Sequence, residues 1–246
     1  MLSKALDKKK GALRVLSHKN KGKYIKSIIY GGLDGIITTF AIVAGVAGAS
    51  LSASIIIILG FANLLADGIS MGFGDYLSTK SEKEYQQHQR KKETQEIKRF
   101  PQKEKEALIT TYQKKGLSKK AATTYVSFIT KHKKIFLNTI LSEHYGFNSD
   151  NNHSPVKNGV ATFGSFVVFG FVPLLAYVLV PVIGIDQTVT FGIAAVLTAV
   201  ALFGLGAMKF KITGTHWYRA GFEMLLVGGL AAAAAYGIGY VISGLV

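Results

Sequence analysis

The chain has 246 residues, 49% of them hydrophobic, and a formal net charge of +15. The basic and the apolar residues occupy separate stretches, so the charge does not indicate nucleic-acid binding, and no nucleic-acid partner is expected. The absence of cysteine excludes disulfide bonds and thiolate metal sites.

The basic residues lie in three blocks. Nine of the 29 lie in residues 1–26, seventeen in 79–157 and three in 209–219. The long stretches between and after these blocks contain neither lysine nor arginine. This alternation predicts apolar membrane segments joined by basic, water-facing segments.

Five apolar stretches are long enough to cross a bilayer as helices, which requires about 20 residues each. They are residues 27–49, 53–78, 158–181, 187–208 and 220–245. Basic residues precede the first span, follow the second and join the fourth to the fifth. The positive-inside rule then predicts a cytoplasmic N-terminus and a C-terminus on the opposite side. Pro173 is expected to kink the third span.

The predicted fold is an all-α, multi-pass membrane protein in the lipid bilayer. Its regions are a basic cytoplasmic N-terminal segment (1–26), transmembrane helices one and two (27–78), a cytoplasmic insert (79–157) and transmembrane helices three to five (158–246). A cleaved signal peptide is a weaker alternative for the first apolar stretch. That stretch contains Asp34, is too long for a signal peptide, and is followed by four more spans.

The insert is predicted to contain three short helices. Before them, the polar run Lys80–Lys98 has no helix breaker, so it is expected to extend span two into the cytoplasm as one helix. Pro101 suits the first turn of one helix and Ser118 can cap the next, while Gly116 and Gly146 are suited to end helices. They are expected from Pro101 to Gly116, from Ser118 to about Lys131, and from about Lys134 to Tyr145, before Gly146. Large apolar residues are few, so we expect the insert to pack against a second copy, as a homodimer.

The glutamates of the insert are candidate metal ligands. Glu93 and Glu96 lie on one helix face, and Glu104 and Glu106 follow the turn at Pro101. Antiparallel packing would cluster these carboxylates, which suits a divalent metal ion. The alternative is a set of solvated glutamate–lysine pairs, which the residues by themselves favour.

Ionisable residues inside the spans are costly and therefore indicate function. They are Asp34, Asp67, Asp75 and Glu223. Asp34 and Met71 lie about 12 and 13 Å from the nearest flanking lysines at 1.5 Å per residue, so we expect them at the same depth in the membrane.

A polar stripe lies on one face of span two. It contains Asn63, Asp67, Ser70 and Met71, and span one contributes Asp34 and Thr38. Carboxylate, amide and hydroxyl oxygens with one thioether suit a borderline divalent ion such as Fe²⁺. A buried carboxylate can also take up a proton when the metal leaves.

Structural roles are the alternatives for these intramembrane acids. Asp34 and Asp67 could form a hydrogen-bonded pair, Asp75 could cap a helix or pair with Lys80, and Glu223 could pair with Arg219.

Two long motifs lie on the first two spans: DGIITTFAIVAG at 34–45 and ANLLADGISMGFGDYLS at 62–78. They resemble the vacuolar iron transporter family. The resemblance implies a homodimeric exchanger that moves Fe²⁺, and often Mn²⁺, out of the cytosol against protons. It also implies that Asp34 and Met71 line the path at mid-membrane. The metal is cargo, and no resident cofactor is expected.

The insert departs from the family pattern, which is Glu-x2-Glu-x7-Glu-x2-Glu with a methionine pair in the last helix. Glu93, Glu96 and Glu104 match the first three positions, Ala107 stands at the fourth, and Glu143 remains where the methionine pair is absent. This implies a cytoplasmic site that binds fewer ions, binds them more weakly, or prefers harder ions such as Mn²⁺.

No enzymatic activity is predicted, because no nucleophile–base constellation, phosphate loop or closed histidine site is found. Two other functions stay open: a membrane-anchored metal-binding or regulatory protein, and a transporter of another small solute. The lysine- and asparagine-rich composition favours a bacterial plasma membrane.

Overall fold

The computed structural model describes residues 24–147, 154–179 and 186–245. These residues form helices and no strand. Contacts divide the chain into a membrane unit, residues 1–76 with 155–246, and an insert unit, residues 77–154. Most of the predicted N-terminal segment 1–26 lies outside the described residues.

The membrane unit contains helices that match the predicted spans. They are α1 (Ile25–Gly48), the first part of α2 (Ala53–Arg99), α6 (Pro155–Gly170), α7 (Val172–Leu179), α8 (Gln187–Thr213) and α9 (Trp217–Ser243). Helices α1, α2, α8 and α9 are each long and apolar enough to cross a membrane, and α6 with α7 makes a fifth span if the bent pair is counted as one. The described chain therefore has four or five candidate spans.

A bend of 42° separates α6 from α7. The break is at Phe171, two residues before Pro173. Proline has no N–H to donate, and its ring collides with the preceding turn of a helix. The kink predicted in span three is therefore confirmed.

Glycines let α1 pack backbone to backbone against α6 and α9. A Cβ atom at Gly35 would lie 2.3 Å from the carbonyl oxygen of Phe166 in α6, and one at Gly48 would lie 2.3 Å from that of Tyr236 in α9. These approaches leave room only for hydrogen, which is how small residues join membrane helices. Around them lies a core of buried apolar side chains that includes Val43, Phe166 and Tyr177.

The insert unit follows the local signals of its sequence. Helix α2 continues without a break to Arg99, and α3 (Pro101–Lys114), α4 (Lys119–Thr130) and α5 (Lys133–Tyr145) follow. The hydroxyl of Ser118 accepts a hydrogen bond from the Ala121 amide at 3.3 Å. Gly116 and Gly146 have positive φ angles of 101° and 69°, as expected for glycines that end helices.

A small core holds the insert together. Its buried members are Leu108, Val126, Ile129, Phe136 and Ile140. Five such residues are few for a helical unit that must fold alone, which agrees with the expectation of a modest core.

Gly35→Ala should destabilise the membrane unit, because the new methyl group would collide with a backbone oxygen that cannot rotate away. We expect a cost of about 1–3 kcal/mol, typical of overpacking, and a lower thermal unfolding midpoint in detergent. Gly192→Ala is the matched control, since nothing lies within 4 Å of its Cβ position. Equal midpoints for the two variants would contradict the close packing of α1 on α6.

Candidate functional site

Two hydrogen bonds fix how α1 and α2 face each other. The Ser27 hydroxyl donates to Oδ2 of Asp75 at 2.7 Å, and the Asn63 amide donates to the Thr38 hydroxyl at 3.3 Å. The two helices are antiparallel, so residue numbers rise along α1 while they fall along α2. Position 34 lies seven residues beyond Ser27, and the same distance from Asp75 along α2 leads to position 67 or 68.

Asp34 and Asp67 thus lie at the same level on two neighbouring helices. Asp34 is half-buried and Asp67 is exposed. Met71 lies one turn nearer the Ser27 end, about 6 Å along the helix axis from Asp67. The sequence predicted that Asp34 and Met71 lie at the same depth. In the structure Asp67 is level with Asp34, and Met71 lies one helical turn away.

The polar stripe is only partly covered in a single chain. Asp34, Thr38, Asn63 and Met71 are half-buried, whereas Asp67 and Ser70 are exposed. The Thr38 hydroxyl also donates to the carbonyl of Asp34 at 2.8 Å, which orients it along the α1 surface. Among the predicted path residues, the structure joins Thr38 and Asn63 by a hydrogen bond, whereas Met71 packs against the apolar core of the membrane unit.

Asp75 joins three membrane helices. Its Oδ2 atom accepts hydrogen bonds from Ser27 in α1 and from Thr162 in α6. Lys80, a partner suggested by sequence, instead lies 3.8 Å from Glu84. Ser27 and Thr162 carried no sequence signal, because they are 48 and 87 residues away from Asp75.

Glu223 pairs across helices rather than along its own. Its carboxylate lies 3.7 Å from the ammonium group of Lys209 in α8. The pairing with Arg219 that sequence spacing suggested is therefore replaced by a contact between neighbouring helices.

Two glutamates of the insert are buried close together. Glu93 is 6% and Glu104 is 8% exposed. Burial, followed by the nearby charge of Glu93, raises the pKa of Glu104 above its ordinary value. Glu96 is half-buried and adds to this repulsion, whereas Glu106 is exposed.

Tyr145 is a partner of this pair that sequence reasoning missed. Its hydroxyl donates to Oε1 of Glu93 at 2.7 Å. The hydrogen bond to Glu93, helped by burial, raises the pKa of Tyr145 to about 12. The phenol therefore stays protonated at neutral pH and remains a donor.

Glu143 is engaged elsewhere in the insert. It forms an ion pair with Lys115 and accepts a hydrogen bond from the Tyr112 hydroxyl at 3.2 Å. The Lys115 hydrogen bond is the main cause that lowers the pKa of Glu143, with Tyr112 adding to it. Among the described residues, no three histidine, aspartate or glutamate side chains are arranged to hold a metal ion.

Comparison with known proteins identifies the family. The VIT family profile matches residues 25–240 of the chain. The chain belongs to the VIT family. The resemblance drawn from the two sequence motifs is confirmed.

Curated relatives of this VIT-family chain extend over most of its length. A vacuolar iron transporter of Toxoplasma gondii is 37% identical over 232 residues, which are 91% of this chain and 76% of the relative. One from Plasmodium falciparum is 36% identical, with 89% and 82% covered. Vacuolar iron transporter 1 of Arabidopsis thaliana is 31% identical, with 89% and 86% covered. These relatives are named as transporters, not as enzymes.

Glu104→Gln should stabilise the insert at neutral pH. Because the pKa of Glu104 is raised on folding, its protonated form favours folding, and this stability is lost as pH rises through the folded pKa. Hydrogen exchange of insert peptides in the full-length protein should therefore slow in the variant at neutral pH. The difference should shrink as pH falls.

The exposed neighbour provides the control for that measurement. Glu106→Gln removes the same charge from the same helix without relieving burial, so its exchange should match wild type. Equal exchange of the Glu104 variant and wild type at neutral pH would show that the buried pair is not repulsive.

Proposed function

We propose that this chain is a proton-coupled transporter that moves a divalent metal ion, Fe²⁺ and also Mn²⁺, out of the cytosol. The observation that carries the proposal is that Asp34 and Asp67 lie at the same level on two apolar helices. Uncompensated carboxylates are costly inside a membrane, and a divalent cation neutralises both at once. The named function of the curated relatives, iron transport, supports the same conclusion.

The ligand chemistry supports a borderline metal ion. The two carboxylates supply oxygen atoms, Met71 supplies a thioether one turn away, and Thr38, Asn63 and Ser70 line the same side. This mixture is too soft for Mg²⁺ or Ca²⁺ and suits Fe²⁺ or Mn²⁺. Here Asp34 and Met71 are the principal path residues and Asp67 joins them.

Proton coupling follows from the same pair. When the metal leaves, two facing negative charges remain, and uptake of a proton by one of them removes the repulsion. Binding of the next metal ion displaces that proton. Metal and proton therefore occupy the pair in alternation, which is the basis of exchange.

The insert supplies a cytosolic capture site in this proposal. Glu93 and Glu104 are its centre, and Glu96 and Glu106 lie on the same helices. Lysines surround these acids and weaken their attraction for a cation. Glu143, held by Lys115, is available to a metal only after that ion pair opens, so the site is weak and selects harder ions.

A homodimer accounts for the uncovered part of the stripe. Asp67 and Ser70 are exposed in a single chain, and a charged side chain that faces lipid is costly. A second copy that packs symmetrically on this face would enclose both residues.

The membrane and the orientation stay predictions. Charge segregation favours a cytoplasmic N-terminus. The relatives come from eukaryotes and are named vacuolar, so they do not support the bacterial plasma membrane expected from composition.

Transport in proteoliposomes tests the proposed path. Wild type should move Fe²⁺ and Mn²⁺ with opposite proton flux, and Asp34→Ala should reduce the initial metal flux by about tenfold or more, because a direct ligand is lost. Glu223→Gln is the control, since that acid pairs with Lys209 on other helices. Equal flux from wild type and Asp34→Ala would refute the path.

The alternative functions give different results in the same assay. Tight metal binding with no uptake into sealed vesicles would indicate a metal-binding or regulatory protein. Flux of another solute that neither metal inhibits would indicate a different transporter.

Cysteine cross-linking tests the homodimer. The natural chain has no cysteine, so Ser70→Cys introduces a single thiol on the uncovered stripe. A short thiol-reactive cross-linker should give a dimer in membranes. Val200→Cys is the control, because Val200 is 65% exposed on α8, away from the stripe. Equal yields from the two variants would contradict a dimer closed over Ser70.

A further inference from the structure

We propose that Asp75 is a positioning residue for transport, which holds α1 and α2 in the register that sets Asp34 opposite Asp67. This inference rests on the proposed function, in which that pair binds the metal. Asp75 itself does not contact the metal in this role. It acts through the hydroxyl groups of Ser27 and Thr162.

The contacts of Asp75 are those of a structural junction. One carboxylate oxygen accepts from both Ser27 and Thr162. Ser27 is 6% and Thr162 is 0% exposed. Buried hydroxyl groups need acceptors, and a carboxylate in an apolar environment needs donors. The Asp75 carboxylate therefore accepts from two buried hydroxyl groups, and each of the three groups comes from a different helix.

The junction is one of two polar contacts that bracket the metal-binding pair. Ser27–Asp75 lies on one side of Asp34 and Asp67, and Thr38–Asn63 lies on the other. A slip of one residue would shift α2 by 1.5 Å and turn its side chains by about 100°. Such a slip would carry Asp67 away from Asp34.

Glycine contacts do not set the α1–α2 register directly, because Gly35 of α1 and Gly72 of α2 both pack on α6. Gly72 of α2 and Gly159 of α6 lie back to back, since a Cβ at Gly159 would be 2.6 Å from the Gly72 carbonyl oxygen. Smooth glycine surfaces allow close approach but permit sliding. Hydrogen bonds are directional and lose strength when donor and acceptor move apart. The Asp75 junction therefore supplies the specificity that the glycines lack.

Cross-linking between α1 and α2 tests the register directly. In the cysteine-free chain, Asp34→Cys with Asp67→Cys gives a thiol pair that a short bifunctional reagent should join in membranes. Adding Asp75→Ala should lower the yield by about tenfold, the size expected for losing two hydrogen bonds. Adding Asp75→Asn should leave the yield within about twofold, because the amide oxygen still accepts from both hydroxyls.

A second experiment measures Fe²⁺ flux through the single variants. Asp75→Ala should lower the maximal Fe²⁺ flux by about tenfold, and Asp75→Asn should restore it to within about twofold of wild type. Thr162→Val keeps the side-chain volume but removes one donor, so its flux should fall between those of the two Asp75 variants. It also gives a readout if Asp75→Ala does not fold.

The outcomes separate this role from others. If Asp75→Asn is as defective as Asp75→Ala in both arms, the negative charge matters and the positioning role is wrong. Unchanged cross-linking in Asp75→Ala also overturns it. If wild type moves no metal but cross-linking follows the expected pattern, the proposed function fails while the positioning role stands.

Discussion

A carboxylate in an apolar membrane must find donors or a cation, and this requirement organises the first three membrane helices. Asp75 meets it with hydroxyl groups from α1 and α6. Those hydroxyls reach it because α1 and α6 pack at backbone distance, with Gly31 and Gly35 against the Thr162 and Phe166 carbonyls. Asp34 and Asp67 lie at one level on α1 and α2. The same helices thus carry one acid that accepts hydrogen bonds from two other helices and two acids at a shared level.

The insert is rich in lysine but buries two acids, Glu93 and Glu104. Glu93 is stabilised by the Tyr145 hydroxyl, whereas burial and Glu93 make ionisation of Glu104 unfavourable. A cation between them would relieve that cost, which is the usual compromise between stability and binding. The ionised carboxylate of Glu143 is instead stabilised by Lys115 and Tyr112.

Local signals in the sequence predicted most of the helices, because their causes lie within a few residues. Pro101 begins a helix, Ser118 caps one, and Gly116 and Gly146 end two. Segregated charge likewise predicted the apolar spans. Helical periodicity places Asn63 and Asp67 on one face of α2, and the path along that face stays a prediction.

Contacts between distant residues could not be predicted in this way. Tyr145 on Glu93 and Lys115 on Glu143 depend on how three helices pack, and no spacing in the chain encodes it. Depth counted from flanking lysines placed Asp34 level with Met71. The two observed hydrogen bonds instead give Asp67, because side-chain contacts set register more finely than distance from the membrane surface.

The ion pair between Lys115 and Glu143 has an evolutionary consequence. Substitution of Lys115 by an uncharged residue would remove the neutralising charge beside Glu143 and leave that carboxylate the hydrogen bond from Tyr112. Positions 115 and 143 are therefore expected to change together among related sequences.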